Sequence, residues 1–222
     1  MKKTFWNRTA KSYDHFMKKD HKAYKQMYSL IYPVVRHKQV LELATGTGLI
    51  AKHIVRSADH IEATDASKEM IEQAKQGVKS TKLYFSVQDM FHLPYADQSF
   101  DVVIVVNALH IVPEPEKALS EIRRVLKPGG TFLICNESNG DSDKDEKWTE
   151  IIGGMTIYSG DELKTFLEND GFCSKRCPIR RCRAAGGGVN NSCSTVCCPR
   201  FAVFAEFCRR SYALCGSGRT DS

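Results

Sequence analysis

Cysteine is nearly absent from most of this 222-residue chain, since Cys135 is the only cysteine before position 173. No run of eighteen apolar residues occurs either, which excludes a membrane-spanning helix. Residues 1–19 are basic but lack an apolar segment, so we expect no secretory signal and a cytoplasmic location. Hydrophobic residues make up 42% and charged residues 26% of the chain, which is typical of one globular domain.

An excess of one charge sign is also missing from the main body of the chain. The net charge is +6, but residues 173–222 alone contain nine Lys or Arg and two Asp or Glu. Residues 1–172 are therefore near neutral, with a net charge of −1. Because this body has no basic stripe, nucleic acid is not expected as a substrate or partner.

Apolar and amphipathic segments alternate between residues 37 and 172, which predicts strands separated by helices. Helices are predicted from residue 49, after the capping Ser67 (as far as Val78), from Pro115 to Leu126, and after a Ser159–Glu162 capping box. The alternation indicates an α/β fold with a Rossmann-like, doubly wound and mostly parallel sheet in three α/β/α layers. Its five predicted strands are residues 39–43, 60–64, 82–87, 100–106 and 131–135.

Two segments flank this predicted core of residues 37–172. Residues 1–36 are rich in aromatic side chains and are predicted to form an N-terminal helical cap. Residues 173–222 show no clear alternation and are expected to form an irregular, poorly ordered tail. Within the core, the polar and acidic residues 136–150 are predicted to be a loop.

A glycine turn follows the first predicted strand, in the sequence Glu42-Leu-Ala44-Thr45-Gly46-Thr-Gly48. Glycines let the backbone turn tightly and approach a ligand, and the next helix offers free N–H groups to an anion. The turn alone is a weak signal, because residues 46–51 also fit the G-x-G-x-x-A fingerprint of dinucleotide-binding proteins. An NAD-dependent oxidoreductase is therefore one alternative.

Three acidic residues accompany this turn and narrow the choice of ligand. Glu42 precedes the glycines, where a negative charge favours a ligand with an amino group or a sulfonium. Asp65 ends the second predicted strand, where it can bind a ribose diol. Asp89 follows the third strand, and a carboxylate there can accept a hydrogen bond from an adenine amino group. The combination favours an adenosyl sulfonium cofactor over NAD.

Several motifs recur in order and carry a family resemblance: Ala10-x-x-Tyr13-Asp14, residues 42–48, Asp65-Ala66-Ser67-x-x-Met70, Asp89-Met90-x-x-Leu93-Pro94, Asn107-x-x-His110 and residues 124–130. The chain resembles, over residues 5–172, the class I methyltransferases that use S-adenosylmethionine, and in particular the small-molecule enzymes of the ubiquinone/menaquinone type. The resemblance implies a small-molecule methyl acceptor, with S-adenosylmethionine as the cofactor. Neither the acceptor atom nor an oligomeric state follows from it.

The resemblance also implies a role for individual residues. By this resemblance, the methionine part of the cofactor contacts Glu42, Ala44, Gly46 and Gly48. Asp65 holds the ribose, Asp89 and Met90 flank the adenine, and Asn107 lies beneath the sulfonium. Ala44 stands where the family often has glycine. With Tyr13, which we expect to touch the cofactor as part of a lid, the predicted cofactor-binding residues are Tyr13, Glu42, Ala44, Thr45, Gly46, Gly48, Asp65, Ala66, Met70, Gln88, Asp89, Met90 and Asn107.

Methyl transfer from a sulfonium is an in-line displacement, for which a protein chiefly aligns the acceptor and excludes water. A general base is required only if the acceptor must lose a proton. His110, after the fourth strand, is the predicted catalytic residue, and it has the alternative of a purely structural role. His92 and Glu137 are weaker candidates. No metal site is expected.

The tail from Cys173 departs from the family pattern in several ways at once. It contains eight of the nine cysteines, and arginine replaces lysine as the main basic residue. No C-x2-C pair occurs, which disfavours zinc, and a reducing cytoplasm disfavours disulfides. Our preferred hypothesis is a reading-frame change near codon 173, which would remove the two final antiparallel strands of the family and leave one sheet edge uncovered. Resequencing the gene tests this, because an intact frame would contradict it.

The unusual tail leaves two alternatives to an active small-molecule methyltransferase. The chain can be a catalytically impaired protein that still binds S-adenosylmethionine, since all cofactor motifs precede residue 173. It can also be an interaction protein that binds its partner through the basic tail.

Overall fold

The structure is a computed structural model that describes residues 3–17, 21–135, 160–173 and 200–203, together with residues 154, 156 and 158. Two helices come first, α1 (Lys3–Met17) and α2 (His21–Val35). The elements that follow are β1 (Gln39–Leu43), α3 (Leu49–Ile54), β2 (His60–Asp65), α4 (Lys68–Lys75), β3 (Leu83–Val87), β4 (Phe100–Val106), a short 3-10 helix (Leu109–Ile111), α5 (Pro115–Val125), β5 (Leu126–Cys135), α6 (Gly160–Asn169) and β6 (Arg200–Val203).

The strands form one sheet in the order β3-β2-β1-β4-β5-β6, and all neighbouring pairs are parallel. Leu43 at the end of β1 lies beside Thr64 in β2 and Val105 in β4, so the strands end at the same edge of the sheet. The order reverses between β1 and β4, whose carboxyl ends border the crevice in which such sheets bind ligands. All five predicted strands are confirmed, with end points that differ in the second, third and fifth.

Alternate strand residues point to opposite faces of the sheet, and each face is covered by helices. One core joins β-strand residues such as Val40 and Ile61 to α2, α3 and α4, and the other joins Leu41 and Val103 to α5 and α6. The predicted three-layer α/β/α fold is thereby confirmed. Among the described residues, no helix combines the length and the apolar character that a membrane crossing requires.

Helix ends follow the predicted signals with two differences. The Ser67 hydroxyl accepts a hydrogen bond from the Met70 backbone N–H at 3.2 Å, as a helix N-cap does. The prediction that Val78 belongs to this helix is wrong, because the helix ends at Lys75 and Gly77 adopts a left-handed φ of 71°. Leu126 was also expected to line α5, but it has extended backbone angles and begins β5.

The tail contributes one described strand. Residues 200–203 pair in parallel with residues 131–134 of β5, so the expectation of an uncovered β5 edge is wrong. Pairing with residues 200–203 gives hydrogen-bond partners to backbone N–H and C=O groups of β5 that would otherwise be exposed at that edge. Residues 174–199 and 204–222 of the tail, the loop of residues 136–150 and the capping Ser159 lie outside the described residues, and the reading-frame hypothesis stays a prediction.

Candidate functional site

A cleft with a volume of about 610 Å³ opens where β1, β2, β3 and β4 end. It is bounded by the glycine turn, by the segments after β2, β3 and β4, and by helix α1. Ten of the thirteen predicted cofactor residues lie in its wall. The lining residues are Trp6, Tyr13, Ala44, Gly46, Thr64, Asp65, Ala66, Met70, Val87, Gln88, Asp89, Met90, Phe91, His92, Val106, Asn107, Ala108, Ile111, Val112 and Pro113.

The glycine turn owes its shape to three residues with left-handed backbone angles. The φ angles are 52° at Ala44, 57° at Gly46 and 76° at Gly48. Only glycine adopts this region without steric cost, so alanine at position 44 is strained. The turn is fixed by hydrogen bonds from Thr45 N–H to the Thr64 carbonyl (2.9 Å) and from Gly48 N–H to the Thr45 carbonyl (3.0 Å).

The two glycines of this turn have different surroundings. Gly46 lines the cleft, and a Cβ built on it would lie 3.8 Å from Cε1 of Tyr13. Gly48 does not line the cleft, and a Cβ there would lie 2.6 Å from the Phe85 ring. Gly48 therefore allows the turn to pack against β3, which gives it a structural role that its place in the motif did not reveal.

Asp65 connects the end of β2 to the glycine turn. Its Oδ2 accepts a hydrogen bond from Gly46 N–H at 2.9 Å, and its Oδ1 accepts one from Ser67 N–H at 2.8 Å. Burial raises the pKa of this carboxyl above its usual range, and the backbone N–H groups of Ser67, Gly46 and Ala66 act against that rise. Because each carboxylate oxygen has a further lone pair, Asp65 can still accept hydrogen bonds from a ligand in the cleft.

Glu42 is buried behind the turn and, like Thr45, does not line the cleft. Burial raises the pKa of Glu42 to about 8; the Asp65 charge adds to the rise, while the Thr45 hydroxyl and the Ala51 backbone N–H reduce it. Its Oε2 has no hydrogen-bond partner among the described residues. The structure thus separates Glu42 from the ten predicted cofactor residues that line the cleft, and any effect of its charge on a ligand passes through the turn.

The segment that follows β3 supplies another part of the cleft wall. Asp89 is exposed, and its Oδ1 accepts a hydrogen bond from Phe91 N–H at 3.0 Å. Its Oδ2 lies 3.7 Å from Nδ1 of His92, which also lines the cleft. Met90 and Gln88 flank Asp89 in the wall. This carboxylate is therefore open to a ligand, with its position set by the turn that follows it.

Asn107 directly follows β4, has a left-handed φ of 50° and lines the cleft, while its backbone N–H donates to the Cys135 carbonyl at 2.7 Å. His110 lies three residues later in the 3-10 helix, where it is buried and does not line the cleft. Its backbone carbonyl accepts a hydrogen bond from Thr156 N–H at 2.7 Å. The role of general base at His110 stays a prediction, and Glu137 lies outside the described residues.

Helix α1 covers one side of the cleft through Trp6 and Tyr13, whose rings pack edge to face with centroids 6.3 Å apart. The Asp14 carboxylate accepts a hydrogen bond from the buried Thr47 hydroxyl, which ties α1 to the glycine turn. The structure therefore brings the N-terminal cap into contact with the part of the cleft where Gly46 lies.

The sequence did not point to several wall residues. Most of them are apolar side chains without a chemical signal of their own: Trp6, Val87, Phe91, Val106, Ala108, Ile111, Val112 and Pro113. Their common feature is that they directly follow or end strands β3 and β4, or lie on α1. The rule that ligands bind beyond the carboxyl ends of parallel strands could have identified most of them.

The fold and the cleft define a Rossmann-like α/β protein whose ligand site lies at the reversal of strand order. Residues 41–134 match the family described as methyltransferase domain. A solved structure of a complex between the Haloferax volcanii Trm112 methyltransferase activator and a methyltransferase is similar, with 28% identity, a TM-score of 0.67 and 75% of each chain covered. Over residues 41–134 the chain is therefore similar to class I, S-adenosylmethionine-dependent methyltransferase domains.

Curated relatives match up to about two thirds of the chain. A demethylmenaquinone methyltransferase of Thermotoga maritima is 34% identical over 153 residues, which cover 64% of this chain and 65% of that protein. The ubiquinone/menaquinone biosynthesis C-methyltransferase UbiE of Bartonella tribocorum is 33% identical, covering 63% of this chain and 55% of the relative. The chain thus spans about half to two thirds of the length of these relatives.

Proposed function

We propose that this chain transfers the methyl group of S-adenosylmethionine to a small, apolar acceptor. The observation that carries the proposal is the convergence of the Gly46 turn, Asp65 and Asp89 on one cleft, from the ends of three adjacent strands. When bound, S-adenosylmethionine supplies an electrophilic methyl group on a sulfonium sulfur. The residues present fit such a ligand, because the Asp65 carboxylate faces the turn and keeps free lone pairs.

In this proposal each wall has its own task. Ala44 and Gly46 approach the methionine part with their backbone, Asp65 binds the ribose hydroxyls, and Asp89 with Met90 binds the adenine. Asn107 and Tyr13 border the reacting centre. Gly48, Thr45 and Glu42 support the turn from behind, because the cleft does not reach their side chains.

The remaining wall supports an apolar acceptor. Trp6, Phe91, Ile111, Val112 and Pro113 contribute uncharged side chains to the same cleft wall as Asn107. Such a surface favours a flat or aliphatic molecule and disfavours a charged one, since burial of an unpaired charge is costly. Two relatives are a demethylmenaquinone methyltransferase and a ubiquinone/menaquinone biosynthesis C-methyltransferase, which supports a quinone-like acceptor.

Binding of S-adenosylhomocysteine to the full chain, measured by calorimetry with NAD as a competitor, tests this function first. We expect micromolar or tighter binding, since binding of this order, about −8 kcal/mol, is ordinary for an adenosyl ligand of this size. NAD should not compete. Binding of NAD alone would overturn the proposal, and binding of S-adenosylhomocysteine without turnover on any apolar acceptor would indicate the impaired protein.

Tyr13→Ala is expected to weaken S-adenosylhomocysteine binding about tenfold, because it removes an aromatic ring from the wall beside Gly46. The free energy of unfolding should change little, since Tyr13 is only partly buried. Calorimetry and urea unfolding measure the two quantities. Tyr84→Ala is the matched control, since Tyr84 is half-exposed on β3 and does not line the cleft. Equal affinities of Tyr13→Ala and the unmodified chain would show that the Tyr13 ring is not part of the site.

The cytoplasmic location and the role of His110 both stay predictions. His92 and Tyr13 are the histidine and tyrosine side chains of the cleft wall among the described residues, so they compete with His110 for the role of base. To distinguish the three candidates, each is exchanged for a residue that cannot accept a proton, and the pH dependence of kcat is measured for each variant.

A further inference from the structure

The adenine-side wall of the cleft has no regular structure of its own. Residues 88–92 line the cleft, and the chain then runs through residues 93–99 to the start of β4 without forming a helix or strand. Backbone N–H and C=O groups of such a segment require partners from elsewhere to hold one conformation. Leu93 is buried in the core, whereas Pro94, Ala96 and Asp97 are exposed, so packing alone fixes only part of the segment.

Arg124 on helix α5 supplies most of these partners. Its Nη2 donates to the Leu93 carbonyl at 2.9 Å, and its Nη1 donates to the Tyr95 carbonyl at 2.7 Å and to Asp97 Oδ1 at 2.9 Å. The other two N–H groups go to Glu121, from Nε to Oε1 and from Nη2 to Oε2, both at 2.8 Å. All five N–H donors of the guanidinium are thus used, in the planar arrangement that arginine alone provides.

Glu121 completes the connection from the helix side. Its Oε2 also accepts a hydrogen bond from Leu93 N–H at 2.8 Å, so both polar backbone groups of Leu93 are held by α5. Hydrogen bonds from Arg124 are the main reason that the pKa of Glu121 lies below its usual range. The pair therefore stays ionised at neutral pH and clamps residue 93 between two charged groups.

Helix α5 is a rigid base for this clamp. Its residues Ala118, Leu119, Ile122 and Val125 are fully buried against the sheet. The helix begins at Pro115, two residues after Pro113, whose uncharged side chain lines the cleft. One helix is therefore joined to the apolar wall at its start and to the adenine-side wall near its end.

We propose that Arg124, together with Glu121, is a positioning residue for the cofactor, because it fixes residues 93–97 and thereby places Asp89 against the adenine. The inference rests on the proposed function, since it concerns the same site. Arg124 itself does not line the cleft, and it acts only through the wall segment. Loss of the clamp releases the turn of residues 89–92, so the ligand loses its specific contact with the adenine amino group first.

The test compares S-adenosylhomocysteine with S-inosylhomocysteine, in which the adenine amino group is replaced by oxygen. The unmodified chain should bind the adenosyl compound at least about tenfold more tightly, the effect of one hydrogen bond to a charged group. In Arg124→Gln this preference should fall to near one, while binding of S-inosylhomocysteine falls less. A purely structural role would weaken both ligands by the same factor and leave their ratio unchanged.

Glu121→Gln is the second variant, because it keeps the size of the side chain and exchanges one acceptor for a donor that Leu93 N–H cannot use. It should also lower the preference for S-adenosylhomocysteine over S-inosylhomocysteine. This variant tests the inference even if Arg124→Gln does not fold. Lys127→Gln is the matched control, because it removes the ion pair between Lys127 in β5 and Asp101 in β4 (3.0 Å) without touching residues 93–97. An undiminished preference in both variants overturns the inference alone, whereas failure of the unmodified chain to bind S-adenosylhomocysteine overturns the proposed function with it.

Discussion

Gly48→Ala is expected to lower the free energy of unfolding by about 3 kcal/mol, the sum of backbone strain and overpacking. The new Cβ would lie 2.6 Å from Cε1 and Cζ of Phe85 and 3.4 Å from Cβ of Ala74. Phe85 is buried in the core between the sheet and α4, so its ring can move only by displacing other side chains. In addition, the φ of 76° at this position disfavours any residue with a Cβ.

Two other glycines separate these contributions. Gly77 has a similar φ of 71°, and a Cβ there would meet nothing within 4 Å, so Gly77→Ala measures strain alone, about 1 kcal/mol. Gly46 has a φ of 57°, and a Cβ there would meet only Cε1 of Tyr13, at 3.8 Å. The loss of stability in Gly46→Ala should therefore resemble that in Gly77→Ala. Because Gly46 lines the cleft, its variant should also lose affinity for S-adenosylhomocysteine.

Urea unfolding of the three variants measures the differences, since the slope with denaturant also reports whether the folded state stays compact. Gly48→Ala should be about 2 kcal/mol less stable than Gly77→Ala, which is the overpacking contribution. Equal stability of these two variants would mean that the Phe85 ring yields at no cost, and that Gly48 is not required for the packing of the turn against β3.

Glu42→Gln should make the chain more stable than the unmodified protein at alkaline pH and leave it nearly unchanged at pH 5. The carboxyl is buried, and its pKa is raised to about 8 from an ordinary value of 4.5. Between these two values the folded state holds a proton that the unfolded state has released. Stability therefore falls as pH rises through this window, by about 3 kcal/mol between pH 5 and pH 8. Glutamine cannot ionise and removes this loss.

Thermal or urea unfolding from pH 5 to pH 9 tests the sign of this effect. The raised pKa of Asp65 contributes a slope of the same sign, and the lowered pKa values of Asp101 and Glu121 contribute the opposite one, so only the difference between variant and unmodified chain isolates Glu42. Glu72→Gln is the control, because it makes the same exchange at an exposed position on α4 and leaves the buried Glu42 carboxyl unchanged. Parallel curves for Glu42→Gln and the unmodified chain would show that Glu42 is already ionised in the folded state.

Much of the fold follows from local patterns in the sequence. Strand β4 is a continuous apolar run, and its predicted bounds of 100–106 agree with the structure because a strand buried on both faces needs apolar residues at every position. The start of α4 was predicted from Ser67, whose hydroxyl bonds to Met70 N–H. Its end was not, since the helical spacing of Val78 continues beyond the point where Gly77 turns the chain.

The site was predictable where its chemistry is carried by charged or glycine residues at strand ends. Asp65, Asp89 and Gly46 line one cleft, as the motif order indicated. Glu42 and Gly48 belong to the same motif but face the protein interior, because successive residues of a tight turn point in different directions. His110 likewise follows β4 at the expected place, yet the 3-10 helix turns its side chain away from the cleft wall.

By itself, the sequence determined the order and type of the elements, the layered sheet and the position of the acidic residues at its edge. These features depend on periodicity and on strand ends, which are local properties of the chain. The tertiary structure decided which side of the glycine turn meets a ligand, that β5 gains residues 200–203 as a neighbour, and that Arg124 holds Leu93, 31 residues away. Such contacts depend on how distant segments pack together, and no single segment contains the information that specifies them.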